Sequence, residues 1–349
     1  MARAVALLSG GLDSTLSVLL MLRQGIEVTA VTFLTHFGCD AGDTSSCSKD
    51  PSLNAVKFGF EVKLCHLADK FIDIVKNPRY GHGRNMNPCI DCRILMLREA
   101  KELMSLTGAD FIVTGEVLGQ RPMSQRRETF PLIDREAGAL GYVLRPLSAR
   151  LLKPTVPEMK GTVNRDKLYA MSGRSRKPQM ALAAELGLTD YPNPAGGCLL
   201  TEPNYSHRLS ELLSENPEPT VNDLHLLRVG RHFRLKSGAK AIVGRNEAEN
   251  SRLQSLLNKD DYLMGVEDFG SPLTILRGGL RGDASEEDIM TAASICARYS
   301  DARHLPAAVV NVMKDNAVFY LNAGPADGGL IESLRIEKRN KTVLPIKAL

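Results

Sequence analysis

The chain has 349 residues, 43% of them apolar and 24% charged, and a net charge of +4. Those proportions exclude a disordered or fibrous chain, and the length makes two domains the default, since one domain ordinarily takes roughly 100–200 residues. The mild positive charge allows a nucleic-acid partner without requiring one.

The opening run Met1-Ala2-Arg3-Ala4-Val5-Ala6-Leu7-Leu8 is too short for the core of a signal peptide and reads as a first strand. No later stretch approaches the ~18–20 uninterrupted apolar residues of a membrane helix, so the expectation is a cytoplasmic protein with no membrane partner. Seven cysteines without a secretion signal argue for thiols with metal or redox roles rather than a disulfide framework.

Residues 5–8, 28–33, 62–67 and 111–114 are short apolar or β-branched runs, whereas 14–24 and 90–106 carry apolar residues at helical spacing. Strand and helix in alternation predict an α/β fold, with a parallel sheet covered on both faces. Residues 35–51, 77–88 and 191–197 read as loops, the first lying where such sheets place binding residues. After about Tyr205 the texture changes, and Glu215-Asn216-Pro217-Glu218-Pro219 reads as a linker or domain entry. The domains are therefore set at 1–210 and 211–349, the second being a smaller α+β unit with strands at 241–243, 273–276 and 318–321 and helices near 247–257 and 286–299.

Between the first strand and first helix stands Ser9-Gly10-Gly11-Leu12-Asp13-Ser14. Paired glycines let backbone N–H groups approach an anion, the helix N-terminus adds partial positive charge, and the Ser9 and Ser14 hydroxyls can donate to the same oxygens. Asp13 beside phosphate needs a compensating cation and is assigned to Mg2+. The simpler reading is a turn in which Asp13 or Ser14 caps the helix. A Walker A ending of Gly-Lys-Ser/Thr is missing, which disfavours kinase or GTPase chemistry. Thr32 and Phe33, ending the second strand, join the nucleotide-binding set.

Cys89-Ile90-Asp91-Cys92 opens a helix, whose N-terminus would stabilise its thiolates, and Cys198 lies among the small residues Pro194-Ala195-Gly196-Gly197. Three thiolates can hold a 4Fe–4S cluster with one iron open, or one can carry a persulfide that another resolves as a disulfide. A zinc knuckle or plain buried thiols are the bland readings. Cys39 and Cys47 are further candidate ligands, and Cys65 and Cys296 are read as core. Thr114-Gly115-Glu116-Val117-Leu118-Gly119-Gln120 places a carboxylate and two glycine turns at the sheet's C-terminal edge, followed by Ser124-Gln125 and Arg145-Pro146-Leu147. Arg145 is the cation assigned to the leaving pyrophosphate.

The hexapeptide at 9–14 resembles the SGGxDS signature of the PP-loop ATP pyrophosphatases. With Cys89-Ile90-Asp91-Cys92-Arg93, Thr114 to Gln120, Ser124-Gln125 and Arg145-Pro146-Leu147, residues 1–200 resemble the catalytic domain of tRNA 4-thiouridine synthetases. The resemblance implies ATP and Mg2+ as cofactors, tRNA as partner, adenylylation of a uridine oxygen and displacement of AMP by sulfur. It gives catalytic roles to Asp13, Cys89, Cys92 and Cys198, the cysteines also being the metal ligands of a 4Fe–4S cluster or the persulfide carriers. It places Ser9, Gly10, Gly11, Asp13, Ser14, Thr32, Phe33, Thr114, Gly115, Gln120 and Arg145 at the nucleotide. The 2-thiouridine synthetases, which share the loop and a cysteine pair, rank second because they lack the Gly-Glu-x-Leu-Gly-Gln stretch. PP-loop chemistry on a small molecule ranks below them, and a non-enzymatic RNA-binding role ranks last. Sulfide or a persulfide-bearing protein would donate sulfur, and a homodimer is allowed.

Family members carry an N-terminal THUMP module for tRNA, whereas this chain begins at its first strand. In the second domain, 226–236 and 240–246 read as two cationic strands, with Arg234 and Lys236 on one face. Ile242-Val243-Gly244-Arg245-Asn246 and the Glu249-Asn250 that follows resemble the RNA-binding domain of the NFACT ribosome-quality-control proteins. The residues assigned to RNA are Arg228, Arg231, Arg234, Lys236, Lys240 and Arg245, against the simpler reading of a merely solvated strand face.

Overall fold

The computed structural model describes residues 1–38, 51–192, 198–279, 282–315 and 317–337. Cys39, Cys47 and the 193–197 stretch lie outside the described residues. The chain divides into two compact units, Met1–Thr201 and Glu202–Leu349.

In the first unit, strands β1 (Arg3–Leu7), β2 (Glu27–Leu34), β3 (Glu61–His66), β4 (Phe111–Thr114) and β5 (Val143–Leu144) form one parallel sheet in the order β3-β2-β1-β4-β5. Helices α1 (Leu12–Leu22), α2 (Pro51–Phe58), α3 (Ala68–Lys76), α4 (Cys89–Thr107), α5 (Thr129–Glu136), α6 (Val156–Met159) and α7 (Lys177–Glu185) connect and cover it. Strand alternation sends Ala4, Ala6, Val28, Phe111 and Val113 to one face, packed with Leu16 of α1 and Leu182 of α7. Val5, Leu7, Val31 and Ile112 face the other way, against Ile94 and Leu97 of α4 and Ile133 of α5. Helix α4 stops where Gly108 takes the left-handed conformation, φ 64°. With β2 on one side of β1 and β4 on the other, the strand order reverses at β1, so the loop after β1 sits at the crevice where such sheets bind ligands.

The second unit begins with α8 (Pro203–Glu215) and α9 (Val221–Leu226) and contains α10 (Glu247–Ser255), α11 (Glu286–Tyr299) and α12 (Gly328–Leu334). A boundary at 210 would cut through α8; the unit begins before that helix instead. Its sheet is antiparallel, in the order β11-β10-β8-β9-β7-β6, built from β6 (Arg231–Arg234), β7 (Lys240–Val243), β8 (Tyr262–Val266), β9 (Thr274–Arg277), β10 (Ala308–Lys314) and β11 (Ala317–Ala323). One face packs Ala241, Val243 and Leu276 against Ala293 and Cys296 of α11, and the other packs Ile242 and Ile275 against Leu226 and Leu253. Cys296 is core, whereas Cys65 on β3 is only partly buried. Among the described residues no helix is long and apolar enough to cross a membrane.

Candidate active site

The loop from Leu8 to Gly11 is organised for an anion. Gly10 has φ 72°, a conformation that side chains resist. Gly11 is the N-cap of α1 and no side chain caps it, so neither Asp13 nor Ser14 serves as the cap and the N–H groups of the first turn keep their pull on negative charge. Ser14 Oγ donates to Gly11 O at 2.9 Å and accepts from Ser9 N at 3.2 Å, with Ser9 Oγ 3.1 Å away. Thr32 Oγ1 donates to Leu8 O at 2.8 Å, so Thr32 anchors the loop's entry, while Phe33 packs on the α4 side of the sheet.

Strand β4 closes on this loop from the neighbouring position. A Cβ on Gly115 would lie 2.4 Å from Ser14 N and 2.6 Å from the Asp13 carbonyl carbon, so only glycine fits there. Five residues later Gln120 Nε2 donates to Asp13 Oδ2 at 2.8 Å. Asp13 Oδ1 is buried without a hydrogen-bond partner, and burial pushes this carboxyl's pKa up against the lowering pull of Gln120, Arg176 and Arg121. Gln179, 1% exposed on α7, faces the same carboxylate and neither atom of its amide is hydrogen-bonded. An orphaned carboxylate oxygen beside an anion-binding turn fits a magnesium ion.

One assignment changes. Arg145 is 3% exposed and already committed: it forks onto Asp134 at 2.7 and 2.9 Å, donates to Glu116 Oε2 at 3.0 Å and lies 4.0 Å from the centre of the Phe130 ring. It braces the sheet edge rather than offering a charge to pyrophosphate. Glu116, the carboxylate at the sheet's C-terminal edge, is 2% exposed and held between Arg145 and Arg93, the latter 3.4 Å away; Thr114 Oγ1 donates to it at 3.1 Å.

Cys89, Cys92 and Cys198 are brought together. Cys89 opens α4, and Cys92 feels both Cys198 and Cys89 electrostatically. The segment carrying Cys198 docks on the loop before α4 through Met86 N to Leu200 O at 3.2 Å and Asn85 Nδ2 to Thr201 O at 2.8 Å. Asp91, inside the Cys-x-x-Cys, accepts from the amides of Arg79 and Tyr80, each at 3.1 Å. Stabilisation of the thiolates by the helix N-terminus does not prevail. Burial, opposed only in part by Arg93, pushes Cys92 up to about 12, and burial raises Cys89 despite Arg93 and Arg121.

As placed, these thiols do not make a metal centre: among the described residues no three His, Cys, Asp or Glu side chains are set to hold a metal ion. Arg121 acts on both Asp13 and Cys89, which ties the phosphate loop to the cysteines through one exposed cation. Sequence reasoning missed Arg121, Arg176 and Gln179. Arg93 was visible directly after the Cys-x-x-Cys, but its link to Glu116 was not.

The RNA-assigned residues are dispersed. Lys236 is exposed but lies in the turn after β6, and 226–229 belongs to the end of α9 and the turn after it, so the expected shared face of Arg234 and Lys236 on one strand does not form. Arg231 stacks 4.6 Å from the Tyr299 ring centre, Arg234 pairs with Glu211, and the exposed Arg245 pairs with Glu249 at 3.6 Å. Arg228 is half-buried, and Lys240 is buried.

A family model described as Thiamine biosynthesis protein (ThiI) matches residues 1–150, and one described as NFACT protein RNA binding domain matches residues 230–328. The chain is similar to tRNA-specific 2-thiouridylase MnmA of Herpetosiphon aurantiacus, 30% identical over 257 residues that cover 66% of this chain and 65% of that one. It is also similar to the bifunctional protein NifU/MnmA of Rubrobacter xylanophilus, 34% identical over 164 residues, covering 44% of this chain and 32% of that one. The chain thus spans less than two thirds of the length of either relative. Among solved structures it has a likeness to a 4-thiouridine synthetase in complex with RNA and bound ATP, with 21% identity, a TM-score of 0.34, and coverage of 54% of this chain and 52% of that one. Residues 1–150, which carry the phosphate loop at the switch point of a parallel sheet, are thus similar to the Thiamine biosynthesis protein (ThiI) family, and residues 230–328 to the NFACT protein RNA binding domain.

Proposed function

We propose that the chain is an ATP-dependent tRNA uridine thiolase. The observation that carries the reading is the convergence on one sheet edge of an uncapped, glycine-built anion turn and three cysteines, with Arg121 acting on both. In this scheme the first-turn amides with Ser9 and Ser14 bind the β,γ-phosphates, and Asp13 holds the Mg2+ that offsets their charge. The uridine carbonyl oxygen attacks the α-phosphorus, pyrophosphate leaves, and the activated carbon is left bearing AMP.

Sulfur transfer then runs through Cys198 and Cys92. Cys198, loaded as a persulfide by a persulfide-bearing protein, attacks the activated carbon with its terminal sulfur and AMP departs. The Cys92 thiolate next attacks Cys198 Sγ, forming a Cys92–Cys198 disulfide and releasing thiouridine; a cellular dithiol reduces the disulfide. Cys92 must lose its proton at that step, which burial opposes and the nearby Arg93 cation favours. Cys89 is not required in this scheme, and no step runs through an iron–sulfur cluster. The identity of the first relatives favours thiolation at C2 of the uridine. The resemblance of the motifs in residues 1–200 to tRNA 4-thiouridine synthetases makes C4 the second reading. Mass spectrometry of tRNA nucleosides from a strain lacking the gene decides: loss of 2-thiouridine supports the first, loss of 4-thiouridine the second, and unchanged thiolation contradicts both.

A further inference from the structure

Lys240 is 8% exposed, and its ammonium group has no hydrogen bond or ion pair among the described residues. On β7 it stands directly opposite Arg234 of β6 and Arg277 of β9, so three cations lie abreast on one face of the sheet. Like charges facing one another across strands repel. Two of the three are compensated: Arg234 by Glu211 and by the Gly238 carbonyl at 2.6 Å, and Arg277 by Asp223 at 2.7 Å and Asp261 at 2.6 Å. The middle one has no such partner. Burial is the main cause that pulls its pKa down to about 8; Arg234 and Arg208 pull the same way, and Glu211 and Asp223 oppose them.

A buried, unpaired ammonium is costly unless something fills the space before it. All three cations, together with Lys236 in the β6–β7 turn, line a cleft of about 650 Å3 within the second unit. That size falls in the roughly 300–1,000 Å3 range of small-ligand sites. One wall is built by close backbone approach: a Cβ on Gly279 would lie 2.9 Å from Gly238 O. Asn216 and Asn258 also line the cleft and offer amide groups suited to a sugar or base edge.

We propose that this cleft takes one nucleotide of single-stranded RNA, its phosphate lying between Lys240 and Lys236. The inference rests on the reading of the chain as an RNA-acting enzyme and adds the part of the RNA that is held and the residues that hold it. Arg234 and Arg277, already paired, are positioning residues that keep the local field positive.

The test is fluorescence anisotropy of the full chain with a short labelled single-stranded RNA over a salt series. Lys240→Met and Lys236→Ala are each expected to raise Kd about tenfold and to lower the slope of log affinity against log salt by about 0.7, one phosphate contact on a single strand. Lys240→Met replaces the buried charge by an apolar chain of similar length and should melt no lower than the parent. AMP should compete with the RNA better than inorganic phosphate at equal ionic strength. Kd and salt slope within twofold of the parent in both variants overturn the proposal, as does a parent that binds AMP or phosphate but no RNA. If instead the parent binds RNA through Lys240 yet supports no thiolation, the enzyme reading fails and this one stands.

Discussion

Gln120 and Asp13, 107 residues apart, are joined by a hydrogen bond of 2.8 Å that fastens the loop after β4 to the first turn of α1. The bond leaves the other Asp13 oxygen buried and open, which is how a residue that would repel phosphate becomes a place for a cation.

Replacing that carboxylate tests the role. Asp13→Asn keeps an acceptor for Gln120 but loses the charge, so the Mg2+ needed for half-maximal pyrophosphate release should rise by about 10- to 100-fold. Because the folded-state pKa of Asp13 is raised, the native protein holds the proton more tightly than the unfolded chain. The stability this confers is present below the unfolded pKa and lost as pH rises through the folded one. The neutral variant should therefore melt at or above the parent temperature at pH 7, as scanning calorimetry would show; a lower melting temperature with unchanged Mg2+ dependence would count against a metal role.

Gly115→Ala should displace the anion turn, since its Cβ would meet Ser14 and Asp13 backbone rather than a movable side chain. Destabilisation of about 1–3 kcal/mol is expected, with loss of ATP affinity by isothermal titration calorimetry. Wild-type ATP affinity in a folded Gly115→Ala protein would show that β4 does not shape the loop.

Arg145→Met strands Asp134 and Glu116 in the interior and should cost about 3–5 kcal/mol in denaturant unfolding. Restoring stability by Arg145→Met with Asp134→Leu and Glu116→Leu would mark Arg145 as a brace. If the single variant were fully stable yet inactive, the arginine would belong at the pyrophosphate after all.

Cys92 should react slowly with iodoacetamide. With its thiol pushed up to about 12 from 9.0, its thiolate fraction near pH 8 is about a thousandfold below that of an ordinary cysteine. Here too the native state keeps a proton that the unfolded chain releases, so the associated stability is complete below pH 9.0 and is lost as pH climbs towards about 12. Peptide mapping after timed alkylation measures the rate, and rapid labelling at pH 8 would contradict the burial argument.

Cys89→Ser separates the two sulfur chemistries. A persulfide relay between Cys198 and Cys92 should retain thiolation within about tenfold, because Cys89 takes no covalent part. A cluster needing three ligands should lose it entirely, together with any iron bound under anaerobic reconstitution.

Much of the first unit was legible because local signals and tertiary demands agree there. The buried parallel strands are continuous apolar runs, and Ser9 to Ser14 must follow β1 to lie at the switch point. The nearness of Cys198 to Cys92 followed from a resemblance, not from spacing. What sequence could not show was ownership of charge. Nothing local tells that Arg145 is consumed by Asp134 and Glu116, or that Gln179, in a run of small and apolar residues on α7, faces Asp13. The burial of Lys240 was hidden for the same reason: period-two alternation states which side of the sheet a lysine takes, not whether that side is open to water.

The central claim, that the anion turn and the cysteines act in sequence on one uridine, is tested most directly by single-turnover assay of Cys198→Ala with ATP and unmodified tRNA. The account expects pyrophosphate release at close to the parent rate, accumulation of adenylylated tRNA and no thiouridine. Thiouridine formed by that variant, or pyrophosphate release in the parent that is indifferent to tRNA, would contradict it.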